Sequence, residues 1–348
     1  MSGRLRSEHL TDHNARVVHV RTIDLGSGEG ESTLPPLARD VVDEIASACR
    51  EIGFFQIVGH GIAAERIDRL RHDMHRFFQQ PVAVKREVLR TEVHPWGYYD
   101  KELTKNTPDW KEVYDFGRLP HPDRPEDDPS NAGLDGPNRW PTDLPGFRCA
   151  MLEYLQACER VALRLLGGMA TGLDASPETL EAHFRPMHSS FVRLNHYPVC
   201  DDPASPETLD LPIEGRLGVN QHNDAGALTL VAQTDERGLQ VRTDAGWLGV
   251  EPIPGALVVN IGDMMQVWSN DRYRSPLHRV VVSDRTERYS APFFFNPSYD
   301  AVCAPLPDPG RAPRYRPVPW GEFRSLRAAG DYANVGEEVQ VADYRISR

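Results

Sequence analysis

His222 and Asp224 are separated by one residue. Along an extended strand successive side chains alternate faces, so an imidazole and a carboxylate at this spacing project to the same side and can grip one ion. His278 offers a second imidazole. Two neutral imidazoles and one carboxylate occupy one face of an octahedron, suit a ferrous ion, and leave the opposite positions open for dioxygen and an organic co-ligand. In a chain with 13 histidines such a doublet also arises in surface turns and satisfied core positions, so its surroundings must add weight. They do. His278 opens the run His278-Arg279-Val280-Val281-Val282, a β-branched strand, and Arg288-Tyr289-Ser290 follows, with Arg288 and Ser290 on one strand face. A planar guanidinium fork matches a carboxylate and a serine hydroxyl adds a donor, so this pair suits the far end of a dicarboxylate.

The elements that must hold these residues are short. From residue 190 onward, β-branched and aromatic runs broken by turns cover residues 191–199, 217–234, 238–243, 256–261, 277–283 and 290–296, a spacing that suits an antiparallel sandwich or barrel. Upstream, a first strand is expected over 17–25 and a glycine-rich loop over 26–32. An amphipathic helix follows over 37–51, striped by Leu37, Val41, Ile45 and Cys49 and ended by Gly53. A buried strand over 53–58 precedes a second helix over 63–78, striped by Ile67, Leu70, Met74 and Phe77 and stopped by Pro81. Residues 94–117 are rich in aromatic side chains. Residues 120–145, dense in Pro, Asp, Gly and Asn, read as a long surface connection. Helices over 146–172 and 177–184 would brace the outside of the sheet. Asn260-Ile261-Gly262-Asp263 reads as a tight turn, and the segment from 324 to 348 as a closing helix and lid with no chemistry of its own. His60, His94, His183, His188 and His196 lack metal-ligand spacing relative to the triad and read as structural or surface residues.

Length and composition allow one large domain or two intimately packed ones. No apolar run is long enough to cross a bilayer and no charged-then-apolar leader opens the chain, so a soluble, cytoplasmic protein is expected. Cys49, Cys149, Cys158, Cys200 and Cys303 are scattered and free of CxxC pairs, which argues for reduced thiols. A net charge of −12 disfavours nucleic acid or an anionic membrane as partner and leaves small molecules as the expected substrates.

The blocks His222-x-Asp224, His278, Arg288-x-Ser290, Asn195-x-Tyr197-Pro198, Gly53-Phe54-Phe55-Gln56-Ile57 with His60-Gly61-Ile62, and Asp109-Trp110-Lys111-Glu112 are colinear over about residues 17–300. In them the chain resembles the non-haem Fe(II), 2-oxoglutarate-dependent dioxygenase superfamily, in the branch of isopenicillin N synthase and the plant gibberellin and flavonoid oxygenases. Asn223 stands where relatives often carry threonine, a position that is not a ligand. The resemblance implies a mainly β fold with flanking helices, a distorted jelly roll (double-stranded β-helix) with the metal at its open mouth. It implies Fe(II), 2-oxoglutarate and dioxygen as cofactor and co-substrates, with His222, Asp224 and His278 as iron ligands. Arg288 and Ser290, joined by Tyr197 and Asn195, would contact the 2-oxoglutarate. The aromatic segment would line one wall of the substrate cavity through Tyr98 and Tyr99. Phe293 and Phe295 alternate with Phe294, so one face of that strand lines either the core or the cavity.

The implied organisation is a flexible tail (1–16), an N-terminal dioxygenase region (17–125), a connection with bracing helices (126–185), the binding core (186–300) and a C-terminal helix or lid (301–348). The implied reaction is oxidation of a small molecule, with release of succinate and CO2. Hydroxylation is the default, desaturation or cyclisation are accessible variants, and secondary metabolism is the usual setting. Asp224 argues against the halogenating relatives, which free a position for halide by losing the carboxylate. Two alternatives stay open on sequence alone. An oxidase of the isopenicillin N synthase type would use dioxygen without 2-oxoglutarate and turn the arginine and serine to the substrate's own carboxylate. A catalytically silent scaffold would serve as a binding module.

Overall fold

The computed structural model describes residues 19–27, 34–91, 95–118, 136–208, 213–331, 333–334 and 336–346. The expected tail (1–16), Val17 and Val18, His94, most of the glycine-rich loop and residues 119–135 of the long connection lie outside them.

Strand β1 (Arg21–Ser27) pairs in parallel with β2 (Phe54–His60). Between them runs α1 (Arg39–Glu51), which buries Val42, Ile45, Ala46 and Cys49. Gly53 ends this segment at φ +76, and a Cβ there would stand 2.0 Å from the Arg274 carbonyl oxygen, so only glycine fits. Helix α2 (Ala64–Phe78) buries Ile67, Leu70, Met74 and Phe77, and the single turn α3 (Val82–Lys85) follows Pro81. The aromatic stretch then folds into β3 (Gly97–Tyr99), β4 (Leu103–Thr104), β5 (Thr107–Pro108) and β6 (Glu112–Gly117). After α4 (Phe147–Thr171) and α5 (Pro177–Glu181) come β7 (Phe191–Tyr197), β8 (Leu217–His222), β9 (Leu228–Gln233), β10 (Leu239–Thr243), β11 (Gly246–Gly249) and β12 (Leu257–Ile261). The order closes with α6 (Asp263–Trp268), β13 (His278–Val281), β14 (Arg288–Phe295), β15 (Val302–Cys303), β16 (Val318–Pro319) and α7 (Trp320–Ala329).

These strands build an eight-stranded sheet in the order β1-β2-β12-β9-β14-β7-β6-β3 and a four-stranded sheet in the order β11-β10-β13-β8. From β7 to β14 the chain passes back and forth between the two sheets, the alternation of a distorted jelly roll. Four strands of the larger sheet (β1, β2, β3 and β6) come from the region preceding residue 125, so that region and the jelly-roll core share one hydrogen-bonded layer.

Burial follows from this layering. A large apolar cluster fills the space between the major sheet and α1, α2 and α4. A smaller one, with Phe54, Tyr197, Val231 and Val258 from the major sheet and Val219, Val241 and Val280 from the minor, lies between the two sheets. The five cysteines are free thiols, and only Cys149 is exposed. Among the described residues no helix is long and apolar enough to cross a membrane.

Candidate active site

The expected strand over 217–234 breaks in two, and the break carries the acid. His222 ends β8, while Asp224 stands in the loop that leads to β9, just past the strand whose alternation suggested the pair. His278 opens β13 and is the register partner of His222, which brings the two imidazole rings to 4.2 Å between centroids. Asp224 Oδ1 lies 3.5 Å from His222 Nε2 and 3.7 Å from His278 Nε2. The three candidate ligand atoms all fall within 4.8 Å of one another, and this is the sole such group among the described residues.

Local hydrogen bonds aim each ligand. His222 Nδ1 faces the Asn220 carbonyl at 2.8 Å and His278 Nδ1 faces the Pro276 carbonyl at 3.1 Å. A carbonyl can only accept, so both Nδ1 atoms carry the proton and both Nε2 lone pairs point at the common centre. Asn220 is itself fixed by Asp109, whose Oδ1 accepts from the Asn220 backbone N–H at 2.9 Å and from Nδ2 at 2.8 Å. Asp224 Oδ2 accepts from the Thr229 hydroxyl at 2.5 Å and from Asn260 Nδ2 at 2.7 Å, which leaves Oδ1 for a metal. Burial alone would raise the Asp224 carboxyl, but the imidazoles of His278 and His222 with the Thr229 hydroxyl hold it well below the usual carboxylate range. Burial, reinforced by His222, pushes the His278 imidazole down to about 4. An ionised carboxylate and a neutral imidazole are the states a divalent ion requires.

The Asn260-Ile261-Gly262-Asp263 stretch is not a turn between strands. Its first two residues end β12, and Asp263 starts α6. A Cβ on Gly262 would come within 2.3 Å of the Gly226 carbonyl oxygen and 2.9 Å of that of Asp224, so glycine lets this segment close against the metal loop.

Arg288 and Ser290 share one face of β14, as their spacing predicts. Ser290 is the register partner of Asn195 on β7 and of Gln233 on β9, and Arg288 that of Tyr197. Asn195 Nδ2 donates to Ser290 Oγ at 3.3 Å, and the Tyr197 hydroxyl lies 3.5 Å from that oxygen. The Arg288 guanidinium, 4% exposed, sits 5.1 Å above the Tyr197 ring and gives one hydrogen bond, to Gln233 Oε1 at 2.9 Å. Its Nε and Nη1, together with Asn195 Oδ1 and Gln233 Nε2, have no hydrogen-bond partner among the described residues. Buried donors left without acceptors are costly, and a carboxylate is the group that two free guanidinium N–H donors and a nearby hydroxyl fit best. The donor set therefore fits the distal end of 2-oxoglutarate, and the triad fits Fe(II).

Beside His222 and Asp224 a pocket opens between α7, the β4–β5 hairpin and the ends of β7, β8 and β14. Of the expected wall residues, Tyr98 is buried in the main core, its hydroxyl donating to Glu112 at 2.5 Å, and Tyr99 lies under the Arg90 guanidinium at 4.7 Å; neither lines this pocket. Phe293 and Phe295 also belong to the core, where Phe295 stacks on Phe184 at 4.2 Å. The opposite face of β14 serves the pocket through Phe294, stacked on Phe191 at 4.8 Å. Lys105, Arg324 and Arg327 line it too, although the C-terminal segment was expected to carry no chemistry. Of the histidines read as structural or surface residues, the described ones have structural partners: His60 meets the Gly255 carbonyl, His183 packs on the Trp268 ring at 5.1 Å, His188 meets Glu159, and His196 bridges Glu112 and Glu287.

Residues 188–297 match the family model described as the 2OG-Fe(II) oxygenase superfamily, and residues 20–143 match the one described as non-haem dioxygenase in morphine synthesis N-terminal. The chain belongs to the 2OG-Fe(II) oxygenase superfamily, whose members couple Fe(II) and 2-oxoglutarate to oxidation of small molecules. It is 34% identical over 282 residues to a homoarginine-6-hydroxylase of Arabidopsis thaliana, covering 78% of this chain and 82% of the relative. The crystal structure of JOX2 in complex with 2OG, Fe and JA superposes with a TM-score of 0.76 at 30% identity, covering 94% of this chain and 89% of that one. A full-length Neurospora crassa protein in complex with alpha-KG gives 0.73 at 26% identity, covering 91% and 98%. These relatives favour a 2-oxoglutarate-dependent dioxygenase over an oxidase that dispenses with the co-substrate.

Proposed function

We propose that this chain hydroxylates a small organic molecule, with His222, Asp224 and His278 holding Fe(II) and Arg288, Ser290, Tyr197 and Asn195 receiving the distal carboxylate of 2-oxoglutarate. The observation that carries the reading is the buried Arg288 guanidinium with two donors lacking partners, in the same inter-sheet space as a preformed His-Asp-His group. Similarity to a homoarginine-6-hydroxylase supports hydroxylation as the outcome and a metabolite as the substrate. When bound, Fe(II) and 2-oxoglutarate supply activation of dioxygen, with succinate and CO2 as co-products and one oxygen atom passing to the substrate. The chain's residues orient and insulate. Asn220 and Pro276 fix the imidazole tautomers, Thr229 and Asn260 fix the carboxylate, and Phe191, Phe294 and Val219 exclude water from one wall.

The test is oxygen-isotope labelling. Protein supplied with Fe(II), 2-oxoglutarate and labelled dioxygen is expected to release succinate carrying one labelled oxygen, even in slow turnover without prime substrate. Oxygen consumption without succinate would overturn the reading.

A further inference from the structure

Charged side chains crowd the outer wall of the pocket, and they fall into two groups. Glu102 accepts from Arg90 at 2.8 Å, Arg193 at 2.7 Å and Lys111 at 2.8 Å. Arg193 also meets Asp115 at 2.8 Å and Asp331 at 3.9 Å, and Lys111 meets Asp109 at 3.0 Å. In this network every cation has a carboxylate.

Lys105, Arg324 and Arg327 are different: among the described residues, none of the three has a carboxylate at ion-pair distance. Among the described residues Arg327 donates only to neutral oxygens, those of Val339 at 3.3 Å, the Gln340 side chain at 2.9 Å and Asn223 at 2.9 Å. Asn223 lies between His222 and Asp224, so the third contact pins this guanidinium beside the triad. Arg324 precedes it by one turn on the same face of α7 and lies over the Phe191 ring at 5.4 Å. Lys105 stands at the tip of the β4–β5 hairpin with φ +48, followed by Asn106 at φ +63, and Asn106 ties that tip to the Gly336 carbonyl at 2.7 Å. Burial, and then repulsion from Arg327, lower the Lys105 ammonium, with Glu338 and Asp263 pulling the other way. Among the described residues three carboxylates lie close enough to act on these cations without pairing at contact distance: Glu338 and Asp331 on the pocket lining, Asp331 feeling the charge of Arg324, and buried Asp263, which feels that of Arg327 and Lys105. None of the three cations is closed off by an ion pair, in a chain of net charge −12. Cationic donors without a contacting carboxylate can take one from a ligand, and a guanidinium pair on one helix face matches that group.

Resting on the reading of this pocket as the oxygenase site, we propose that the prime substrate is a carboxylic acid whose carboxylate docks on Arg324, Arg327 and Lys105. Its apolar part lies against Phe191, Phe294 and Val219, which directs a C–H bond toward the triad.

Anaerobic protein loaded with Fe(II) and saturating 2-oxoglutarate is titrated calorimetrically with jasmonate, 3-phenylpropanoate and homoarginine, each beside its primary amide. Binding of 2-oxoglutarate is recorded first. At least one acid is expected to bind about 10- to 100-fold tighter than its amide, the range of charge-assisted hydrogen bonds. In Arg324→Gln with Lys105→Gln, which leaves Arg327, the preference should fall at least about 5-fold while the amide's affinity stays, and Arg324→Lys should retain more of it. Preference for homoarginine alone assigns an α-amino acid, and preference for the others a simple acid; both support the proposal. Bound 2-oxoglutarate with no acid preference in any pair, including no response to either member, overturns it and leaves the oxygenase site standing. So does a preference that is undiminished in the double variant. Failure to bind 2-oxoglutarate overturns both.

Discussion

At the scale of single residues, the site depends on side chains that position others. Thr229 and Asn260 hold one Asp224 oxygen and so present the second. Their loss should lower Fe(II) affinity about 10- to 100-fold, as removal of such supports does elsewhere. Zn(II) or Fe(II) titration of Thr229→Val and Asn260→Ala variants checks this, and affinities equal to wild type would sink it. Protonation makes a second prediction for the metal-free protein. His278 titrates at about 4 in the fold against an ordinary 6.5, so between those values the unfolded chain takes up a proton that the folded imidazole refuses. Its contribution is complete above pH 6.5 and is lost as pH falls toward 4. Asp263 works in the opposite sense: burial raises it to about 6, against the pull of Arg327, so its contribution is present at low pH and lost as pH rises from 3.8 to 6. The two oppose each other in the shared window. Asp263→Asn should therefore steepen the acid-side loss of melting temperature, and curves parallel to wild type would contradict the assignment. His222 with Asp224, and Arg288 with Ser290, were legible in sequence because each pair is close along the chain; His278, far downstream, was legible from the β-branched run it opens and from the family blocks it completes. The supporting roles of Gln233, Asn260 and Asp109 were not, since their partners lie 55, 36 and 111 residues away and only the tertiary fold joins them.

At the scale of elements, α7 links the core to the pocket. Trp320 and Phe323 are buried, and Trp320 Nε1 donates to Ser189 Oγ at 2.8 Å, which anchors the helix whose other face presents Arg324 and Arg327. Trp320→Ala should cost about 3–5 kcal/mol of stability by leaving a cavity. Denaturant titration measures it, and a loss below about 1 kcal/mol would mean α7 is not docked as described. The long helices were legible to within a residue or two, at 37–51, 63–78 and 146–172 against Arg39–Glu51, Ala64–Phe78 and Phe147–Thr171, because their apolar stripes repeat over several turns. Strands were less so. The run over 217–234 hid a loop at residues 223–227, since a polar interruption looks the same whether it bends the chain or stays in the strand. For the same reason alternation in β14 showed that one phenylalanine face would differ from the other without showing which faced the pocket. The aromatic stretch hid β3 and β6, whose side chains are buried on both faces and so show no alternation.

At the scale of the whole molecule, a jelly roll joined to helices at its back leaves one open end, and the proposed iron, co-substrate and substrate groups lie in or beside the space between its two sheets. Ligands that bind only the folded state stabilise it by mass action, about 2.7 kcal/mol at a hundredfold excess over Kd. Fe(II) and 2-oxoglutarate together should raise the melting temperature more than Fe(II) alone, and Arg288→Ala should shrink that second increment at the same 2-oxoglutarate concentration. The most direct measurement is the visible metal-to-ligand charge-transfer band that a 2-oxo acid shows when chelated to Fe(II), recorded anaerobically as 2-oxoglutarate is titrated into the iron-loaded protein. The band should appear and saturate in wild type, require roughly 10- to 100-fold more 2-oxoglutarate in Arg288→Ala, and be absent in Asp224→Ala unless iron is retained. Iron binding with no band at any 2-oxoglutarate concentration, or an unchanged titration in Arg288→Ala, would contradict the roles given to these residues.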